Sequence, residues 1–289
     1  MEFFLEPFQY EYMQNAIVTC VLVAVTCAFL SCFLMLKGWS LMGDALAHSI
    51  VPGVALAYAL SLPYSIGAFV AGLLAAWGMN FVQRQSKLRE DTIIGLVFTS
   101  FFALGLVIVS INPTSVNLQA IVLGNILSIS PEDQFQVLLI SLLCLLVLGL
   151  KWKDLMHVFF DEKHARSVGL PVKGLRILFF TLLSASTVAA LQTVGACLVI
   201  AMVITPGATA YLLTDRFPKL ITIACLLGAF TAFSGAYLSY FADVSPGGLI
   251  VTLQTVLFFL VFFFAPKHGY WQKKRSLRKP RPKLKELKV

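Results

Sequence analysis

Long apolar runs alternate with short polar connections along the whole chain. The runs lie near 15–36, 44–61, 65–82, 93–111, 134–150, 177–194, 195–213, 219–241 and 248–265. Each is about 18 residues or more, the length at which a helix crosses the hydrocarbon core of a bilayer. Backbone groups in hydrocarbon have no water to bond, so each run has to satisfy them internally as a helix. The pattern predicts an all-α, polytopic transmembrane bundle of about eight spans, eight or nine. The count turns on 38–82, where two runs are separated only by Ser61 to Ser65. Two full crossings there put the N-terminus outside; a re-entrant segment puts it inside.

Composition agrees with the pattern. Of 289 residues, 58% are hydrophobic and 12% charged, against about a quarter charged in soluble domains. The basic residues gather in the connections Gln83–Glu90 and Lys151–Arg176 and in the C-terminal tail, with Arg216 and Lys219 in another turn. Basic connections mark the cytoplasmic side. The stretches 112–133 and 243–248 hold no Lys or Arg and are expected outside. The absence of basic residues before the first run favours an outer N-terminus. It also removes the positive region of a cleavable signal, so the first run is expected to be a permanent helix. The expected organisation is one transmembrane domain, 1–269, and a basic cytoplasmic tail, 270–289.

The net charge of +8 does not point to nucleic acid. Roughly half of the Lys and Arg lie beyond Pro266, where a basic tail holds that end in the cytoplasm and can touch anionic lipid. Cys20, Cys27, Cys32, Cys144, Cys197 and Cys225 fall in or beside apolar runs with no C-x-x-C spacing. They read as small buried hydrophobes. There is no G-x-x-x-x-G-K phosphate loop, no dinucleotide fingerprint and no H-E-x-x-H. The chain is therefore expected to be a transport subunit and no enzyme, with ATP hydrolysed, if at all, elsewhere.

One stretch breaks the apolar pattern. Gly43 to Tyr58 reads G-D-A-L-A-H-S-I-V-P-G-V-A-L-A-Y. Asp44 and His48 are the acid and the histidine that fall in a run; His157, His164 and His268 lie in basic stretches. Positions i and i+4 share a helix face, so a carboxylate and an imidazole are offered to one point, half a shell for a divalent first-row metal. Ionisable groups in a membrane are costly and mark function by default. The alternatives are an Asp44 that caps a helix start and a His48 bonded in the core. Pro52 follows one turn later, and Thr205-Pro206-Gly207 interrupts another run. Proline breaks a helical ladder, and broken helices recur at transport sites, so these positions are expected pathway or helix-break residues. Gln192, Thr193 and Gln254 read as interhelical hydrogen-bonding groups. Between runs, D-E-K-H-A-R-S-V-G-L-P at 161–171 predicts a short charged helix capped by Asp161, ended by Gly169 and stopped by Pro171. It is suited to a cytoplasmic partner.

These residues resemble a known family. D-A-L-A-H-S-I-V-P-G-V-A at 44–55, D-E-x-x-A-x-x-x-G at 161–169 and V-I-T-P-G-A-T-A at 203–210 are similar to the permease subunits of bacterial ABC importers for manganese, zinc and iron, with the manganese and chelated-iron branch nearest. The resemblance covers the chain up to about residue 270. It implies a type II ABC importer permease in the inner membrane, its C-terminus cytoplasmic. It implies a second permease subunit, identical or different, a cytoplasmic ABC ATPase, and a periplasmic metal-binding protein. By position, Asp44 and His48 match the family's metal residues. Asp161, Glu162, Ala165 and Gly169 match the coupling helix that meets the ATPase. No cofactor is implied; the metal is cargo. Import of manganese and ferrous or chelated iron is the function expected, with zinc on the same scaffold as the alternative. A proton-coupled carrier using Asp44 and His48 as a relay is the competing class. The outward stretch 112–130, with Asn117, Gln119 and Asn125, is the expected contact for the binding protein.

Overall fold

The computed structural model describes residues 6–39, 41–111 and 129–265, without the side chains at 84, 192, 193, 196 and 197. The expected outward contact at Asn117, Gln119 and Asn125, the basic tail, and the side chains of Gln192, Thr193 and Cys197 lie outside the described residues. Eleven α-helices follow a short 3-10 turn among the described residues. They are α1 (Glu11–Lys37), α2 (Met42–Ser49), α3 (Val51–Ala59), α4 (Tyr64–Gln85), α5 (Glu90–Ile111), α6 (Pro131–Phe160), α7 (Glu162–Ser167), α8 (Val172–Val194), α9 (Ala196–Leu213), α10 (Phe217–Ala242) and α11 (Pro246–Phe264).

Seven helices (α1, α4, α5, α6, α8, α10 and α11) are long and apolar enough to cross a membrane. Two further candidate crossings are built differently. The shorter α9 turns back from α8 at Gly195, whose φ of 83° and ψ of 159° suit a residue without Cβ. The pair α2 and α3 forms one bent rod. Its 18 residues from Met42 to Ala59 rise about 27 Å at 1.5 Å each, close to the thickness of the hydrocarbon core. The rod lies antiparallel along α4: Ile50 is beside Gly72, and Gly53 beside Gly67. A Cβ on Gly53 would lie 2.1 Å from the Gly67 carbonyl oxygen. Small residues allow this close backbone approach, which replaces the hydrophobic drive missing between helices in lipid. Counted this way, nine candidate crossings lie among the described residues.

The bundle is organised around α1, which packs against α6, α8, α9 and α10. Its buried cysteines Cys20, Cys27 and Cys32 are free, as is buried Cys144 of α6, while Cys225 is half-buried. They fill space as small hydrophobes. At the end of α1 near Lys37, Phe33 meets Phe217 at 5.1 Å, and Phe159 meets Phe179 at 4.5 Å. This aromatic cluster clamps the ends of α6, α8 and α10 onto α1. The rod α2–α3 lies against α4 and α5, with α9 touching α2, and Met42, Ala45 and Leu46 of α2 join the main core.

Candidate functional site

Helix α2 starts at Met42, with Leu41 in the cap position and no side-chain cap. Asp44 is therefore inside the first turn and does not cap the helix. Four residues on, His48 Nε2 lies 3.4 Å from Asp44 Oδ1, with the side chains 34% and 38% exposed. The exposure matters, because it leaves both donors open to a guest. Two donors each about 2.1 Å from an ion and this far apart subtend roughly 110° at it. That angle suits a tetrahedral ion and needs only a small adjustment for cis positions of an octahedron. The imidazole is held by α5, its centroid 5.4 Å from the Phe98 ring and 5.6 Å from the Phe102 ring. Among the described residues no third His, Cys, Asp or Glu joins the pair to complete a shell.

The bend that follows has a local cause. Pro52 has no N–H for the His48 carbonyl, and the Ile50 N–H turns to that carbonyl instead. The helix restarts as α3 with Pro52 in its first turn, where a missing N–H costs little. Gly105 of α5 accommodates the proline: a Cβ there would stand 2.9 Å from the Pro52 nitrogen. The expected break at Pro52 is thus present one turn beyond His48.

The expected break at Thr205-Pro206-Gly207 is not. Helix α9 runs unbroken from Ala196 to Leu213 with Pro206 inside it. The reason is a side chain from α1. Ser31 Oγ donates to the Ile204 carbonyl at 3.2 Å and accepts the Gly207 N–H at 3.1 Å. The hydroxyl steps into the ladder beside the proline and keeps its groups bonded. Gly207 is needed there, since a Cβ would fall 2.3 Å from Ser31 Oγ. Nor do these residues join Asp44 and His48. Thr205 and Pro206 line a small cavity with Thr231 and Gln254, on the α10–α11 side. Buried Gln254 donates to Thr231 Oγ1 at 3.3 Å.

Helix α7 forms as its cap and stop signals dictate. Asp161 Oδ1 accepts the N–H of Lys163 at 2.9 Å and of His164 at 3.1 Å. The His164 bond above all holds the Asp161 carboxyl below its usual range. Gly169 ends the helix with a φ of 86°, and Ala165 is buried against the bundle. Burial alone would raise the pKa of Glu162, but Arg176 and Arg166 outweigh it and hold it low. Glu162 bonds both guanidiniums. Phe159 turns inward, while Phe160 is 78% exposed, a free aromatic beside α7.

Several residues of the site escape a reading of the sequence. Phe98 and Phe102 carry no polar signal, although their spacing of four puts them on one face. Ser31 lies far from Pro206 in sequence. Gln83 and Glu90 read as the ends of a basic cytoplasmic connection, yet Glu90 accepts the Trp39 indole N–H and the Gln83 amide.

Comparison with known proteins adds the following. The sequence model of the ABC 3 transport family matches residues 9–265. The chelated iron transport system membrane protein YfeC of Yersinia pestis is 63% identical over 269 residues, covering 93% of this chain and 92% of that protein. The manganese transport system membrane protein MntB of Synechocystis is 45% identical over 273 residues, covering 93% and 89%. Among solved structures, PsaBC from Streptococcus pneumoniae in complex with Fab is similar with a TM-score of 0.82 and 37% identity, covering 94% of this chain and 98% of that one.

Proposed function

The chain belongs to the ABC 3 transport family, and on that premise we propose that Asp44 and His48 are one half of the site through which a divalent metal ion crosses. The chain is a multi-pass membrane subunit of a bacterial ABC importer for chelated iron or manganese; it is not the ATPase. It works as a component of an ABC transporter complex.

The observation that carries the proposal is the open, unfinished pair. One carboxylate oxygen and one imidazole nitrogen stand 3.4 Å apart on an uncapped helix, with no further ligand nearby among the described residues. Tetrahedral or octahedral ions take four to six ligands. A second permease, a copy of this chain or a sister, supplies the other half by symmetry or near-symmetry. Such a shell lacks thiolates. It binds manganese or ferrous iron in transit without the strong hold that sulfur exerts on softer ions. Phe98 and Phe102 fix the ring so that His48 meets the ion already oriented, which lowers the ordering cost of binding.

The rest of the importer fits around this centre. Helix α7, with Asp161, Glu162, Ala165 and Gly169, is the surface that meets the cytoplasmic ATPase, and exposed Phe160 is its apolar neighbour. The basic ends of the helices face the cytoplasm of the inner membrane. A periplasmic binding protein delivers the ion at the opposite end.

The test is uptake of labelled manganese by cells carrying the complete transporter at matched membrane expression. Asp44→Asn keeps size while removing the charge, and His48→Gln removes the imidazole. Changes merely in the partners of metal ligands cost about 10–100-fold, so each variant is expected to lose at least about tenfold of uptake. Wild-type uptake in Asp44→Asn overturns the site. Competition by iron and zinc then ranks the cargoes.

A further inference from the structure

At the end of the bundle that carries the basic connections, a row of half-buried polar groups runs from α7 to the start of α2. Arg176 of α8, 11% exposed, bonds Glu162 of α7 and sends its other nitrogen to Asn80 Oδ1 of α4 at 3.3 Å. Asn80 and Gln83 are three residues apart and share a face of α4. Gln83 Nε2 donates to Glu90 Oε1 at 2.5 Å, and the other Glu90 oxygen accepts the Trp39 indole N–H. Trp39 is buried. Its ring stacks on Phe180 and meets Phe159 edge-on, both at 5.6 Å. Its carbonyl accepts the N–H of Met42 at 3.2 Å, the first residue of the helix that bears Asp44 and His48. Between Asn80 and the Gln83–Glu90 pair lies a cavity of about 20 Å³, which Trp39 and Met42 also line. That is room for one water, with three polar side chains around it.

This row ties α7, α8, α4, α5 and the turn before α2 to one another, with Asn80 and Gln83 joined through the α4 backbone. Its elements are stiff: a planar guanidinium that bonds two helices at once, a bidentate carboxylate, and an indole wedged between rings. We propose that Glu162, Arg176, Asn80, Gln83, Glu90 and Trp39 are positioning residues that convert displacement of α7 into displacement of α2. This rests on the reading of α7 as the ATPase surface and of Asp44 and His48 as the metal site. A pull on Glu162 moves Arg176 and the end of α4. Glu90 then carries the shift to Trp39, five residues before Asp44. Opening and closing of the metal half-site are thereby tied to the nucleotide cycle.

The experiment uses the complete transporter in liposomes, with ATP hydrolysis and manganese uptake measured on the same vesicles. The variants are Arg176→Gln and Glu90→Gln, singly and together, with Asp44→Asn and with Lys151→Gln as a control in an exposed ion pair at the same end. Links of this kind change coupling by about twofold to thirtyfold. The expected result is that manganese moved per ATP falls about tenfold in each single variant while hydrolysis stays within about twofold, and that Lys151→Gln matches wild type. The double variant is expected to be no worse than the poorer single one, as residues of one link are not additive. Parallel loss of hydrolysis and uptake makes the row a static brace and overturns the proposal, as does normal coupling in both single variants or additive loss in the double. If Asp44→Asn transports normally, the metal site itself falls and the link with it. If Asp44→Asn stops uptake and Arg176→Gln couples normally, only the link falls.

Discussion

At the scale of single residues, the crossing points of the backbone decide what the fold tolerates. Gly53 and Gly207 sit where another chain segment leaves no volume: a Cβ would lie 2.1 Å from the Gly67 oxygen or 2.3 Å from Ser31 Oγ. Gly174 sits in a helix with nothing within 4 Å of such a Cβ. Overpacking costs about 1–3 kcal/mol. Gly53→Ala and Gly207→Ala are therefore expected to lower the melting temperature of the detergent-solubilised protein by several degrees, roughly 2–4 °C per kcal/mol for a large domain. Gly174→Ala is expected to be neutral or slightly stabilising, since alanine is the better helix former. Equal melting of all three would mean that the α3–α4 and α1–α9 contacts are looser than described. The same scale separates what the sequence discloses from what it hides. Asp44 and His48 stand out because a charge in an apolar run is rare and costly. Phe98 and Phe102, which hold the imidazole, are two of 24 phenylalanines, and one more aromatic in an apolar run carries no information.

At the scale of elements, helices governed by neighbouring residues were legible and those governed by distant ones were not. Helix α7 follows from its own cap and stop: Asp161 at the start, Gly169 and Pro171 at the end. The bend at Pro52 is equally local, a missing N–H one turn after His48. Pro206 carries the same local signal, yet α9 continues, with Ser31 of another helix bonding the Ile204 carbonyl and the Gly207 N–H on either side of the proline. The dependence of α7 on its cap gives a pH prediction. The folded Asp161 carboxyl titrates below its ordinary range. Its contribution is thus present above the unfolded aspartate pKa and is lost as pH falls through the depressed folded value. Hydrogen exchange at the amides of Lys163 and His164, corrected for intrinsic rates, is expected to be protected at neutral pH and to lose protection in acid. Asp161→Asn is expected to keep the protection and lose its pH dependence, because asparagine caps as well as aspartate without a titrating group. A pH response that persists in Asp161→Asn would assign it to another group, with Glu162 and its two arginines first in line.

At the scale of the molecule, the parity of crossings sets whether the two termini share a side. The runs at 44–61 and 65–82 became two antiparallel segments, and only the three-dimensional contact of Gly53 with Gly67 decides that they lie side by side. With the α2–α3 rod as a crossing the count is odd, which predicts that the two ends of the chain lie on opposite sides. The chemistry of the two faces agrees. Lys37, Lys87, Arg89, Lys151, Lys153, Arg166, Arg176, Arg216 and Lys219 all belong to helix ends or connections on one face. The other face has no basic residue among those described. It carries instead an aromatic group in which Phe8 lies 5.8 Å from Tyr237, and Tyr10 5.9 Å from Tyr240. Aromatic belts mark the membrane–water interface, and basic residues mark the cytoplasm. A protease-cleavable tag before Met1 is therefore expected to be cut in intact spheroplasts, and one after Val289 only once the membrane is opened. Cleavage of both tags under the same condition would mean an even count. The α2–α3 rod would then enter and leave on one face, and Asp44 and His48 would sit at the mouth of the pathway, not along it.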